Sequence, residues 1–237
     1  MVPCSVVELR QYTLHPGRRD ELVSLFEREL VQGQEEAGIH VLGQFEDVAR
    51  PDRFVWFRGF RSMSMRREAL TRFYGGPVWH AHRDAANATM VEWNDVLLLR
   101  PVQPNRGFPR RRATAKRQPG TSRVLVRMLH RAPGADDLVM FFRERVHPVL
   151  EGTGAMPVAL LETKHATNDF PRLPVREDSD VVVSLSVLSD EEGLQEHLAL
   201  LDADLDWREY VEPALRSRLL AEPRYVVLRP TPRSGLW

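Results

Sequence analysis

Apolar and polar side chains alternate along residues 6–14, with Val7 and Leu9 on one face and Glu8, Arg10 and Tyr12 on the other. That period of two predicts a strand. Pro16-Gly17 breaks it, and Asp20 and Glu21 stand where a helix start favours acidic side chains. Leu22, Leu25, Phe26 and Leu30 follow as an apolar stripe at helical spacing, ending at Gly38. Residues 41–45 form a short strand, Arg50-Pro51-Asp52 a turn, and residues 54–60 a stronger strand. Its Val55 and Phe57 point one way, its Trp56 and Arg58 the other. Residues 65–74 and 78–90 read as helices separated by Gly75-Gly76-Pro77, and residues 96–100 as the last strand of this half.

The pattern is then stated a second time. Leu9–Gly17 has a counterpart in Leu125–Gly134, and the helical stripe in Leu138, Val139, Phe141 and Phe142. The closing run Val96–Pro101 has one in Val226–Pro230. Strands are predicted at 123–130, 156–164, 180–188 and 224–229, with helices at 136–147 and 190–202. Ser189 to Glu192 has the spacing of a capping box at the second of these helices. Strand, helix, strand, strand, helix, strand is the ferredoxin-like order. The expected fold is therefore α+β: two tandem ferredoxin-like repeats within one chain, residues 1–101 and 122–237. The intervals between matched residues show that the second half carries 13 extra residues, assigned to a loop at 166–178. Long ordered loops in compact domains tend to be functional.

Residues 102–121 join the halves and carry Arg106, Arg110, Arg111, Arg112, Lys116 and Arg117 among three prolines. With Phe108 as the single aromatic, this run reads as a solvated linker rather than a nucleic-acid arm. The 33 basic residues balance 33 acidic ones, which gives no general pull toward nucleic acid, membrane or acidic partners. The single Cys4 cannot form an internal disulfide. No apolar run reaches the ~20 residues of a membrane span, and no secretion signal is recognisable. A cytoplasmic protein is expected, with room for further assembly into a homo-oligomer.

Glu8–Tyr12 with Pro16-Gly17 resembles the opening strand of NIPSNAP proteins. So do Arg53–Phe60, Phe73-Tyr74, Pro77-Val78-Trp79, His82-Arg83, Ala86-Asn87 and Leu97–Pro101. Asn168–Glu177 resembles a loop of bacterial two-repeat members. The resemblance implies the dimeric α+β barrel superfamily, in which two sheets pack face to face around a cavity. It carries over no catalytic set. The superfamily includes cofactor-free monooxygenases, cyclases and isomerases, whereas eukaryotic relatives are associated with signalling or trafficking partners.

If Val7, Leu9, Val55 and Phe57 face the helices, then Glu8, Arg10, Tyr12, Trp56 and Arg58 face the barrel interior. A buried carboxylate needs a partner, here Arg10 or Arg58. Such a face either pins the two sheets together or orients an anionic or carbonyl-bearing ligand. On the helix at 78–90, His80 and Asp84 share a face and are the candidate catalytic pair, an imidazole oriented by a carboxylate. Trp79, His82 and Asn87 are placed at the barrel mouth, with His82 and Asn87 matching the resembled pattern. His165 and Asn168 border the extra loop. His147-Pro148 is expected to end a helix. No metal or cofactor is implied: phosphate loop, zinc pattern and nucleophile elbow are all missing from the sequence. The expected function is binding of a small organic molecule in the barrel cavity, with cofactor-independent cyclase, isomerase or oxygenase chemistry. The alternative is a non-catalytic interaction or sensor protein.

Overall fold

A computed structural model describes residues 4–103 and 121–237. Eight strands run as β1 (Val6–Leu14), β2 (His40–Asp47), β3 (Arg53–Phe60), β4 (Met90–Pro101), β5 (Arg123–His130), β6 (Pro157–Thr163), β7 (Val181–Leu188) and β8 (Arg224–Pro230). They close into a barrel in the order β1-β3-β2-β8-β5-β7-β6-β4, with β4 pairing back to β1. Each half supplies four contiguous strands, in the order β4-β1-β3-β2 and β8-β5-β7-β6. Two short antiparallel seams join them. Phe45–Asp47 pairs with Leu228–Pro230, and Leu99–Pro101 with Leu161–Thr163. Most of the 102–121 linker lies outside the described residues.

The helices cover the barrel on its outside. In the first half these are α1 (Arg19–Leu25), a π-helical turn at Phe26–Leu30, α2 (Val31–Glu36), α3 (Met63–Tyr74) and α4 (Pro77–Asn87). In the second they are α5 (Leu138–Phe141), a π turn at Phe142–Val146, α6 (His147–Gly152), α7 (Glu191–Ala203), a π turn at Trp207–Val211 and α8 (Glu212–Arg216). The π turns at 26–30 and 142–146 occupy matching places in the two halves, each between a strand–turn glycine in the left-handed region (Gly17, φ 75°; Gly134, φ 81°) and a second such glycine (Gly38, φ 91°; Gly154, φ 79°). These glycines take the φ that a Cβ disfavours.

Several boundaries differ from the sequence reading, each for a local reason. Pro148 does not stop its helix: it lies directly after the π turn Phe142–Val146, where the backbone hydrogen bonding shifts register and its missing N–H is accommodated. The α7 cap is Asp190 rather than Ser189: its carboxylate accepts from the Gly193 amide at 2.8 Å. α4 ends at Asn87, and Met90 already belongs to β4. The helical stretch at 207–216 was not predicted.

The parity of the strands is the reverse of the sequence expectation. Val7, Leu9, Val55 and Phe57 pack with Leu97, Leu99, Val126, Leu161, Val183, Leu185 and Leu228 in one cluster drawn from all eight strands and no helix. That cluster is the barrel interior, and it is filled. Glu8, Arg10, Tyr12, Trp56 and Arg58 face outward beneath the helices, where Tyr12 and Trp56 pack with Phe26, Leu70 and Phe73. The reason is composition: with both faces covered, the middle of the lumen takes apolar side chains, and Glu8 and its arginines go where helices and loops can supply partners.

Phe57→Ala should therefore cost about 3–5 kcal/mol, as expected for emptying a packed aromatic site. Urea titration reads this directly, and a loss below ~1 kcal/mol would contradict a packed lumen.

Candidate functional site

Sheet register assembles the site. Glu8 stands opposite Arg58, Arg10 opposite Trp56, and Tyr12 opposite Phe54 across the β1–β3 pair. α3 adds the third arginine. Its N-cap Ser62 accepts from the Met65 amide at 3.1 Å, and Arg66 follows on the same buried stripe as Ala69, Leu70 and Phe73.

One carboxylate receives all three guanidinium groups. Glu8 Oε2 accepts from Arg10 Nη1 at 2.7 Å and Arg58 Nε at 2.7 Å, while Oε1 accepts from Arg66 Nε at 2.6 Å. Glu8 and the three arginines are all inaccessible to solvent. Burial by itself pushes the Glu8 carboxyl up, but the charges of Arg58, Arg10 and Arg66 outweigh it and hold the group well below the usual carboxylate range. The aromatic groups complete the shell. Arg10 Nε donates to Tyr12 Oη at 3.0 Å, and Arg58 Nη1 to Tyr74 Oη at 3.4 Å. Arg10 and Arg58 also lie over the Trp56 ring, at 5.7 and 5.2 Å from its centroid.

The roof comes from the other half of the chain. The 166–178 loop crosses from the second half and places Asp169 against Arg66 Nη1, with Asn168 Oδ1 at 3.2 Å from the same nitrogen. Asn168 is itself fixed, since its amide donates to Glu177 Oε1 at 2.9 Å and its Nδ2 to the Leu173 carbonyl at 2.9 Å. Phe170 is buried in the first half's helix-side core, 6.0 Å from Tyr74 ring to ring. Arg176 ties the far end of the loop down through its amide, which donates to the Val96 carbonyl at 2.8 Å.

Three arginines face two carboxylates here, so the cluster carries an excess positive charge. Among the described residues, Arg10 Nη2, Arg66 Nη2 and Trp56 Nε1 are buried donors without a hydrogen-bond acceptor. Unpaired donors beside excess positive charge have the chemistry that an oxygen anion or a polarised carbonyl would satisfy.

The remaining residues singled out from the sequence lie elsewhere. Trp79 packs on Phe73 and Tyr74, at the edge of the cluster. His82 Nε2 is 3.5 Å from Glu29 Oε2 on the helix surface. Asn87 and His80 are exposed, and the Asp84 side chain is 92% exposed beside Arg83. No hydrogen bond joins His80 to Asp84 among the described residues. His165 is largely exposed, 3.9 Å from Asp180, and lines a cavity of about 40 Å³ beside the loop. A groove of about 390 Å³ in the second half, lined by Met140, Arg143, Glu144 and His147 among others, shares no residue with the cluster. Among the described residues, no group of three or more His, Cys, Asp or Glu is placed to hold a metal ion. No described helix is long and apolar enough to cross a membrane.

Sequence reasoning missed Arg66, Tyr74 and Asp169. Arg66 had a readable signal: a charge on the apolar stripe of an otherwise amphipathic helix. It missed also a second buried polar group. Arg127 on β5 donates from Nη1 to Ser186 Oγ at 2.9 Å and from Nη2 to His197 Nε2 at 2.9 Å. A guanidinium only donates, so His197 Nε2 accepts and Nδ1 carries the proton toward Thr153, whose Oγ1 is 3.0 Å away. Burial and the Arg127 charge push the His197 imidazole down to about 4.

Glu8→Gln should destabilise the fold by about 3–5 kcal/mol, because it leaves three buried cations with Asp169 as their one carboxylate; chemical denaturation measures it. The two titrating groups act in different pH windows. Glu8 is depressed, so its contribution is present above its unfolded value near 4.5 and fades as pH falls below that. His197 is neutral when folded and would protonate near 6.5 when unfolded, so stability should fall as pH drops from about 6.5 to about 4. Denaturation midpoints across pH 4–7 should flatten in His197→Gln; an unchanged slope would rule out this histidine as the source.

The residue match to known proteins follows the same division of the chain. The NIPSNAP family model matches residues 7–104. A putative monooxygenase from Lactobacillus acidophilus NCFM superposes with a TM-score of 0.57 at 12% identity, covering 98% of each chain. An anthrone oxidase-like protein does so with a TM-score of 0.57 at 12% identity, covering 97% of this chain and 93% of its own. These similarities establish a shared fold over the whole length. A NIPSNAP-like domain protein from Burkholderia xenovorans is 24% identical over 44% of this chain and 90% of its own, with a TM-score of 0.40. No curated protein is significantly similar to the chain. Residues 7–104, which hold β1 to β4 almost entirely and every first-half member of the Glu8 cluster, are thus the part of the chain that matches the NIPSNAP family.

Proposed function

We propose that this protein binds a small organic molecule in the layer between the β1–β3 face and α3, with an anionic or carbonyl oxygen set against Arg10, Arg66 and Trp56. The observation that carries the reading is the excess of buried guanidinium over carboxylate, with buried N–H donors left unpaired. Because apolar side chains pack the lumen, this reading sets the site on the helix side of the sheet and not in the barrel cavity expected from the sequence. Stabilising an enolate-like oxygen is the shared demand of cyclases, isomerases and cofactor-independent oxygenases, and preorganised donors in a dry site meet it. The names of two fold relatives, a putative monooxygenase and an anthrone oxidase-like protein, point in the same chemical direction. In this reading the halves are tandem ferredoxin-like repeats. Asp169 then holds in the closed state the place on Arg66 that the ligand's oxygen takes on binding, and the 166–178 loop is the gate. A second reading, a non-catalytic interaction protein, draws on the filled lumen.

Anthrone and 1-naphthol serve as probes in isothermal titration against the purified chain. The expected result is saturable binding, weakened about tenfold or more by Arg66→Lys, because lysine cannot reproduce the fork. Asp169→Asn should tighten it by releasing the gate. Binding indifferent to both substitutions would refute the site, and no binding by either probe would favour the interaction reading.

A further inference from the structure

Arg127 holds on β5 the place that Arg10 holds on β1. Each lies seven residues before the left-handed glycine of the following turn, Gly134 and Gly17. Each sits mid-strand between two antiparallel neighbours: Arg10 between Trp56 and Val96, Arg127 between Ser184 and Tyr225. Around this conserved geometry the charges differ. The residue two before Arg10 is Glu8, whereas the residue two before Arg127 is Leu125. On the paired strand, Arg58 stands opposite Glu8 and Ser186 opposite Leu125.

The second half therefore buries a guanidinium and omits the carboxylate that neutralises its counterpart. Arg127 is 4% exposed and, among the described residues, meets only neutral acceptors, Ser186 Oγ and His197 Nε2. Both acceptors are already committed from behind: Ser186 Oγ donates to the Ala155 carbonyl at 2.6 Å, and His197 Nδ1 turns to Thr153. Directly across the strand, the Ser184 hydroxyl is fully buried without a partner. An uncompensated buried cation is costly, and a buried hydroxyl without a partner adds to that cost. Two such groups on neighbouring strands are what an external anion would resolve. Tyr225, on the other flank, is 48% exposed and marks the side open to solvent.

We propose that Arg127 and Ser184 form a second binding site, specific to the second half, for a small monocarboxylate entering past Tyr225. The ligand's carboxylate supplies the charge that Glu8 supplies in the first half, accepts from Arg127 and receives the Ser184 hydroxyl proton as a hydrogen bond. Its apolar body lies against Leu125 and the Tyr225 ring. The site is independent of the first-half cluster, so either can fail alone.

Benzoate titrated calorimetrically into the full chain, at ionic strength fixed with chloride, is the test. Saturable binding should be present in the parent chain and in Arg66→Lys. It should fall about tenfold or more in Arg127→Met, which removes the charged donor. Leu125→Glu supplies the missing carboxylate from within and should abolish binding while leaving the chain folded. Arg127→Met should also raise the denaturation midpoint in ligand-free buffer, since it removes an unpaired buried charge. Absence of benzoate binding, or binding kept by both Arg127→Met and Leu125→Glu, overturns the proposal. So does an Arg127→Met chain that is less stable than the parent to the same degree with and without benzoate, which would make the arginine a packing element.

Discussion

The first half is organised by one desolvated carboxylate. Glu8 is on a central strand, and its two oxygens accept from β1, β3 and α3 at once. Without those three arginines its charge would be untenable in a site closed to water; without Glu8 the arginines would repel one another. Each position thus constrains the rest. The sheet register brings Arg58 opposite Glu8, the apolar stripe of α3 brings Arg66 down on it, and Arg66 in turn holds the loop through Asp169. The helix layer, the sheet and a loop from the opposite half are coupled through a single side chain.

Much of this was legible before any coordinates. The alternation around Glu8 and Arg10 and its counterpart at Leu125–Gly134 located two strands, and Pro16-Gly17 located the first turn. The 166–178 loop was visible as a length difference between the halves. What failed was the facing of the strands. Alternation says that Val7 and Glu8 point to opposite sides, but it does not say which side is inside when both sides are covered. Only the opposing strands and helices decide that. Val126, Val183 and Leu228 from the second half claim the lumen, and Arg66 from α3 claims Glu8. His80 and Asp84 failed for a related reason: i and i+4 on a helix are neighbours, yet α4 turns that face to water. The helical run at 207–216 was not read from the sequence; its Pro213 sits in the first turn of α8.

The two halves share topology and differ in how they handle charge. The first balances buried arginines with an internal carboxylate and roofs them with a borrowed loop. The second keeps one arginine, replaces the counter-ion with Leu125, and borrows nothing comparable. A filled lumen and equal strand order leave these outer layers as the places where the halves diverge.

Hydrogen–deuterium exchange on the parent chain and on Glu8→Gln tests the coupling most directly. If Glu8 holds the layer together, the substitution should raise exchange in residues 63–74 and across the 166–178 loop, although that loop is remote in sequence, while β5, β7 and β8 stay protected. Unchanged exchange in the loop, or loosening spread evenly over both halves, would contradict the view that one carboxylate organises the site.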